Sequence, residues 1–253
     1  MSVVGRDALV TYLDQYLEVA DWRDKAHNGL QVEGRAEVAM VALATDAALA
    51  TFVAAAEAGA DFLIVHHGLF WGEPVPVVGT MRARIAALLD SGVSLYGAHL
   101  PLDAHLEVGN NAVLARLLDL QDVEPFGMWD GRAIGVRGRF AQPVEPPELG
   151  ARLEALLGAP PDVLAFGRGS IERVAIVSGD ASELIPDAAA AGLDAFVTGE
   201  TRHQAWHVAR EHGLHVIFAG HYVTETLGVR ALGDHLSERF GVETVFLHAP
   251  TGY

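Results

Sequence analysis

Apolar and polar positions along this chain switch repeatedly between a helical and a strand period. Residues 6–19 carry Leu9, Leu13 and Leu17 at four-residue steps, which predicts an amphipathic helix. His27-Asn28-Gly29-Leu30 reads as a turn. Strands and helices then alternate. Strands are predicted over 38–45, 61–65 and 93–98. An alanine-rich helix is predicted over 47–58, and further helices over 80–90 and 110–118. Such alternation implies a parallel α/β sheet joined by right-handed crossovers.

The middle of the chain breaks the rhythm. Residues 121–170 predict a strand over 133–140, a Pro-rich joint at 143–147, a helix over 147–157 and a short strand over 162–166. This stretch reads as a connector with sheet-edge or packing duty and no chemistry. The second half then repeats the first. Val41-Ala-Leu-Ala-Thr-Asp46 matches Val174-Ala-Ile-Val-Ser-Gly-Asp180, and Ala58-Gly59-Ala60-Asp61 matches Ala191-Gly192-Leu193-Asp194. Leu95-Tyr96-Gly97-Ala98-His99-x-x-x-Asp103 matches Ile217-Phe218-Ala219-Gly220-His221-x-x-x-Glu225. The expected fold is therefore α/β, with two similar lobes related by a pseudo-twofold axis. The N-terminal lobe is assigned to residues 1–120, the connector to 121–170 and the C-terminal lobe to 171–253. Functional groups are expected between the lobes at the carboxyl ends of the strands.

Composition narrows the chemistry. Of 253 residues 51% are hydrophobic, enough for a large core, and the formal net charge of −16 opposes non-specific nucleic-acid binding. The sequence has no cysteine, so thiolate ligands, disulfides and cysteine nucleophiles are excluded. Any metal must be held by His, Asp and Glu, which suits zinc, iron, manganese or similar ions. No span of membrane length is apolar throughout, and a soluble cytoplasmic protein is the expectation.

The polar candidates cluster at predicted strand ends. The apolar run 62–65 stops abruptly at His66-His67-Gly68. The pair reads equally as two metal ligands or as one buried histidine bonded to backbone and one at the surface. Successive strand residues point to opposite faces, so a shared site requires the chain to leave strand geometry there, at Gly68. His221 and Glu225 stand four apart, on one face if a helix starts near Gly220. With His66, His67 and Asp103 they make five groups, too many for one tetrahedral ion with an open position and suited to two ions sharing a carboxylate. Glu200, at the strand end equivalent to His66-His67, reads as a general acid/base or as an anchor for the next helix. His207, His212, His215, His235 and His248 are assigned structural or surface roles, and His203, close to Glu200 in sequence, reads as part of a half-buried helix or as lining the pocket. Phe70 and Trp71 read as base-stacking residues, or as core or interface.

These motifs carry a family resemblance. Asn28-Gly29-Leu30-Gln31-Val32, His66-His67-Gly68-Leu69-Phe70-Trp71, His99-Leu-Pro-Leu-Asp-Ala-His105, Gly109-Asn110-Asn111, Thr198-Gly199-Glu200 and Gly220-His221-Tyr-Val-Thr-Glu225 run in order through the chain. The sequence resembles the GTP cyclohydrolase 1 type 2 homologue family, in its short form without an inserted domain. The resemblance implies a toroidal homohexamer, a trimer of dimers, with a dinuclear metal centre. It makes His66, His67, Asp103, His221 and Glu225 the metal ligands. His67 and Asp103 would hold one divalent ion, His66 and His221 the other, with Glu225 bridging. A hydroxide bridging the ions would then attack a nucleotide-like or other small substrate, making the protein a metal-dependent hydrolase. The alternative is a non-catalytic metal-binding or metal-handling hexamer. His99, the mate of His221 in the repeat, is expected to orient water or move a proton beside the metals.

Overall fold

The structure, a computed structural model, describes residues 2–252. In chain order its elements are β1 (Val4–Gly5), α1 (Arg6–Tyr16), β2 (Gly29–Val32), β3 (Glu37–Val38), β4 (Met40–Asp46), α2 (Leu49–Glu57), β5 (Phe62–His67), α3 (Gly79–Ser91), β6 (Ser94–Gly97) and α4 (Leu100–Asp103). They continue with α5 (Asn110–Leu117), β7 (Gln121–Trp129), β8 (Arg132–Val144), α6 (Pro146–Leu157), β9 (Asp162–Ala165) and β10 (Ile171–Val177). The remainder are α7 (Ile185–Ala190), β11 (Ala195–Thr198), α8 (Ala205–His212), β12 (His215–Phe218), α9 (His221–Thr224), α10 (Thr226–Phe240) and β13 (Glu243–Phe246).

The chain forms two compact units that do not follow chain order. Among the described residues, one comprises residues 2–102 and 228–249, the other residues 103–227 and 250–252. In the first unit, five strands lie in the order β13-β4-β5-β6-β2. β13, β4, β5 and β6 are mutually parallel, and β2 runs antiparallel at the edge. Strands buried on both faces read as continuous apolar runs, and Phe62, Leu63, Ile64 and Val65 of β5 are all fully buried. Phe52 and Ala55 of α2 and Leu88 of α3 close one face of this sheet against Ala42, Leu63 and Leu95. The segment 27–30 is not a free turn, because the chain enters β2 at Gly29 and pairs Gly29 with Gly97.

In the second unit six strands lie in the order β7-β8-β10-β11-β12-β9. β10, β11 and β12 are parallel, with β9 antiparallel at one edge and the β7–β8 hairpin at the other. The two units thus share a core plan: three parallel strands in sequence order, flanked by an antiparallel edge strand from earlier in the chain. This is the structural form of the sequence repeat. The stretch 121–170 supplies three of the six strands, including the long β8. Leu149 and Leu153 of α6 pack into a core with Val136, Phe140, Val174, Ile176 and Ile217.

Candidate metal centre

The parallel strands deliver the candidate ligands at their carboxyl ends. In the first unit, β5 ends in His66-His67, while β6 ends two residues before His99. One ring nitrogen from each of His66, His67 and His99 lies within 4.8 Å of the others. Ring centroids are 4.8 Å apart for His66 and His67 and 5.1 Å for His66 and His99. β5 remains a strand through His67, so the two rings converge without the break in strand geometry expected at Gly68. Gly68 has another use. A Cβ there would stand 2.1 Å from the Gln31 amide nitrogen. Gln31 occupies that space, and its Oε1 accepts the Leu69 N–H.

Each of the three imidazoles is fixed through Nδ1. His66 Nδ1 lies 2.9 Å from the carbonyl oxygen of Ala98. His67 Nδ1 lies 2.8 Å from Asp46 Oδ1, at the end of β4. His99 Nδ1 lies 2.9 Å from Asp24 Oδ2, which also accepts the Asn28 amide and the Leu100 N–H. Burial works against ionisation of Asp24, but the His99, Asn28 and Ala26 hydrogen bonds outweigh it and lower its pKa to about 2. A carbonyl and two carboxylates only accept, so each Nδ1 carries a hydrogen and Nε2 is the nitrogen available to a ligand-binding role. That is how metal-binding histidines are oriented by their outer partners. The plainer reading of the pair is met in the fold: His66 is buried and bonded to backbone through Nδ1, and His67 is half-buried.

The second unit holds the remaining candidates. Asp103, 7% exposed, receives the Asn110 amide at 2.8 Å and the Ser178 hydroxyl at 2.9 Å, both on Oδ1. Asn111 braces the same corner by donating to the Asp103 carbonyl and accepting the Ser178 N–H. His221 opens α9, and its Nδ1 lies 2.7 Å from Glu200 Oε2 while Nε2 lies 3.1 Å from Glu225 Oε2. Glu225 is 3% exposed. Gly179, with a φ of +65°, leaves room for this pair, since a Cβ there would meet Glu225 Oε1 at 2.2 Å. The Glu200 carboxylate reaches forward to the His221 ring, whereas α8 begins five residues later at Ala205.

Two carboxylates act on the charge of His221. Burial favours its neutral form, but the bonds and charges of Glu225 and Glu200 prevail and raise its pKa to about 9. In the metal-free protein it is therefore an imidazolium donating to two carboxylates at neutral pH. Its stabilising contribution is complete below the ordinary value of 6.5 and is lost as pH rises through about 9. Metal affinity runs the other way, because an ion at Nε2 must displace that proton. Apparent zinc affinity, measured against a competing chelator, is expected to climb about tenfold per pH unit up to about 9 and then level off. A plateau already at pH 7 would contradict this.

Sequence reasoning missed two groups, Asp24 and Asp46. Asp46 stood in the repeat opposite Asp180, and that equivalence was its only signal. The mates behave differently: Asp46 orients His67, whereas Asp180 binds the Arg202 guanidinium. Asp24 sits in a loop that no periodicity marks. His203 and His207 lie outside these clusters. Both are exposed, and with Trp206, Arg202 and Phe218 they line a separate cleft of about 470 Å³.

A profile of the Duf34/NIF3 (NGG1p interacting factor 3) family matches residues 4–251. The chain belongs to this family. Proteins of Deinococcus radiodurans and Pyrococcus horikoshii, each named GTP cyclohydrolase 1 type 2 homolog, are similar throughout. The first is 45% identical over 249 residues, covering 98% of this chain and 95% of the relative. The second is 46% identical over 250 residues, covering 98% and 100%. The crystal structure of a Thermus thermophilus protein superposes with a TM-score of 0.92 at 50% identity, covering 99% of this chain and 100% of that one. The Duf34/NIF3 fold thus accounts for both sheets. Its His/Glu groups are of a kind that holds a metal ion. Among the described residues, no helix is long and apolar enough to cross a membrane.

Proposed function

We propose that this protein is a dinuclear-metal hydrolase whose ligands are His66, His67, Asp103, His221 and Glu225. The observation that carries the reading is the common anchoring of the imidazoles. His66, His67, His99 and His221 each have Nδ1 committed to an acceptor, so that Nε2 is the ring nitrogen an ion would use; at His221 that nitrogen meets Glu225, and an ion would displace its proton. The donor set fits divalent ions of borderline softness, being nitrogen and carboxylate oxygen without thiolate. Ions bound there would supply Lewis acidity and lower the pKa of a coordinated water towards neutrality. The chain's own residues do the rest. Asp46 and Glu200 hold His67 and His221 in position, and Asn110 and Ser178 fix the Asp103 carboxylate. Glu200 is thereby a positioning residue. The relatives' name points to hydrolytic opening of a purine ring, and a nucleotide-like substrate is the reading it supports.

Elemental analysis of purified protein, followed by a hydrolase screen with and without added metal, tests this. About two ions per chain and metal-dependent turnover are expected. Fewer than one ion, not restored by added metal, sinks the dinuclear centre. Full occupancy with no turnover of nucleotides, esters or amides leaves the metal-handling reading instead.

His99 shares the tautomer of the ligands, so its role is decided by substitution. As the residue that orients water or moves a proton, His99→Ala keeps its metal and loses about 100- to 10,000-fold in turnover. Loss of metal would make it a direct ligand. We further propose a homohexamer, a trimer of dimers. Exposed apolar side chains on the β7–β8 hairpin, Val123, Met128 and Trp129, support an interface there. Light scattering should give about six times the 26.9 kDa chain mass.

A further inference from the structure

Trp71 is a large aromatic beside the histidine cluster that the proposed chemistry does not use. It follows His66-His67 by four residues, and its segment is pinned on both sides. Phe70 accepts the His27 N–H, Gly72 donates to Lys25, and Trp71 pairs with Ala26 in an isolated bridge. The indole Nε1–H donates to the Gly68 carbonyl at 2.8 Å, which fixes the ring as well as the backbone. Phe70 turns inward and packs against the sheet core, while Trp71 stays 40% exposed.

The position of the exposed ring is what matters. Its centroid is 4.9 Å from His99, at an interplanar angle of 70°, and 6.0 Å from His67. The perpendicular contact with His99 covers part of the indole, and the residue remains 40% exposed beside the half-buried His67 and His99. A rigid aromatic surface left open next to metal-ligand nitrogens loses little entropy when a flat ring settles on it. An ordinary core tryptophan would be covered, and an ordinary surface residue would not be locked by three hydrogen bonds to backbone carbonyls.

The geometry points to Trp71 as the platform on which a planar heteroaromatic substrate stacks while its reacting atom reaches the histidine cluster. This assignment names the substrate class of the proposed hydrolase and rests on that reading for the location of the chemistry. Stacking on an aromatic side chain is worth about a tenfold to hundredfold in affinity. Because every base has a flat face, stacking selects for a ring and not for one particular base.

The test uses metal-loaded full-length protein and three probes: GTP, ATP and inorganic tripolyphosphate, which shares their phosphates but has no ring. Binding is measured by calorimetry, with quenching of indole fluorescence as a second readout. Wild type is expected to prefer both nucleotides over tripolyphosphate by about tenfold or more. W71A should abolish that preference and leave tripolyphosphate affinity unchanged, while W71F should keep it within about threefold. Nucleotide quenching should shrink in W71F. Equal weakening of all probes in W71A, no change in any, or no ring preference in wild type would each overturn the platform. So would a drop in oligomeric mass of W71A, which would assign the indole to a contact between copies. The two readings fail separately. Ring binding that depends on Trp71 without turnover sinks the hydrolase and leaves the platform, and turnover indifferent to Trp71 does the reverse.

Discussion

Exchanging His67 for alanine is expected to weaken metal binding sharply under the proposed ligand set. A four-ligand site is worth about 10–16 kcal/mol in apparent binding energy, so one ligand carries roughly 3–4 kcal/mol, or about 100- to 1000-fold in affinity. The residue is well suited to show this, because its ring is 21% exposed and its loss empties no fully buried site. The comparison is with Asp46→Asn, which leaves the imidazole in place but removes the carboxylate 2.8 Å from its Nδ1. That substitution should cost about 10- to 100-fold, the usual range for an outer partner. Zinc titration of both variants, with thermal unfolding in chelator as a control for folding, checks the order. A His67→Ala protein that binds as tightly as wild type would remove His67 from the ligand set.

Phe196→Ala is expected to destabilise the second unit by about 3–5 kcal/mol, the range for emptying a buried aromatic site. At about 2–4 °C per kcal/mol for a chain of this size, the melting temperature falls by roughly 6–20 °C. Phe196 sits in β11, the strand flanked on both sides by parallel partners, and is fully buried. Its ring lies 6.3 Å from that of Phe126 on the face opposite Ala195 and Val197. The neighbouring strands are hydrogen-bonded in place and cannot collapse into the space. Met128→Ala on the β7–β8 hairpin, where the side chain is 64% exposed, should stay within about 0.5 kcal/mol in the isolated chain. Urea denaturation of the two variants gives the contrast, and equal effects would show that β11 relaxes.

What was legible in the chain was what periodicity and repetition carry. The three parallel strands of each unit announced themselves as apolar runs, and the matched His-x-x-x-carboxylate segments marked corresponding positions after β6 and β12. The helix expected after Gly220 is there as α9, with His221 and Glu225 in contact. Edge strands were less visible. Gly29–Val32 is short and follows a turn-like Asn-Gly, so turn chemistry masked β2. The sheet role of β13 depends on pairing with β4, far earlier in the chain, and nothing local specifies that. Asp24 and Asp46 escaped for a related reason. A carboxylate that orients a histidine needs only to be near it in space, and Asp24 is 75 residues from His99.

The same long-range pairing has a consequence for how the protein is made. A ribosome releases residues 103–227 before it reaches β13, so the six-stranded unit has all its strands while the five-stranded one still lacks an edge. Until residues 243–246 emerge, β4 carries a row of unpaired backbone groups over 40–43, buried in the finished protein but open on the nascent chain. Gly233 of α10, whose missing Cβ lets Leu43 seat against the helix, arrives equally late. Order of synthesis is thus inverted relative to the order in which the two large sheets acquire their strands: the sheet begun first receives its last strand last. During that interval, the exposed edge of β4 is where a chaperone would bind and where a second nascent chain would misassemble.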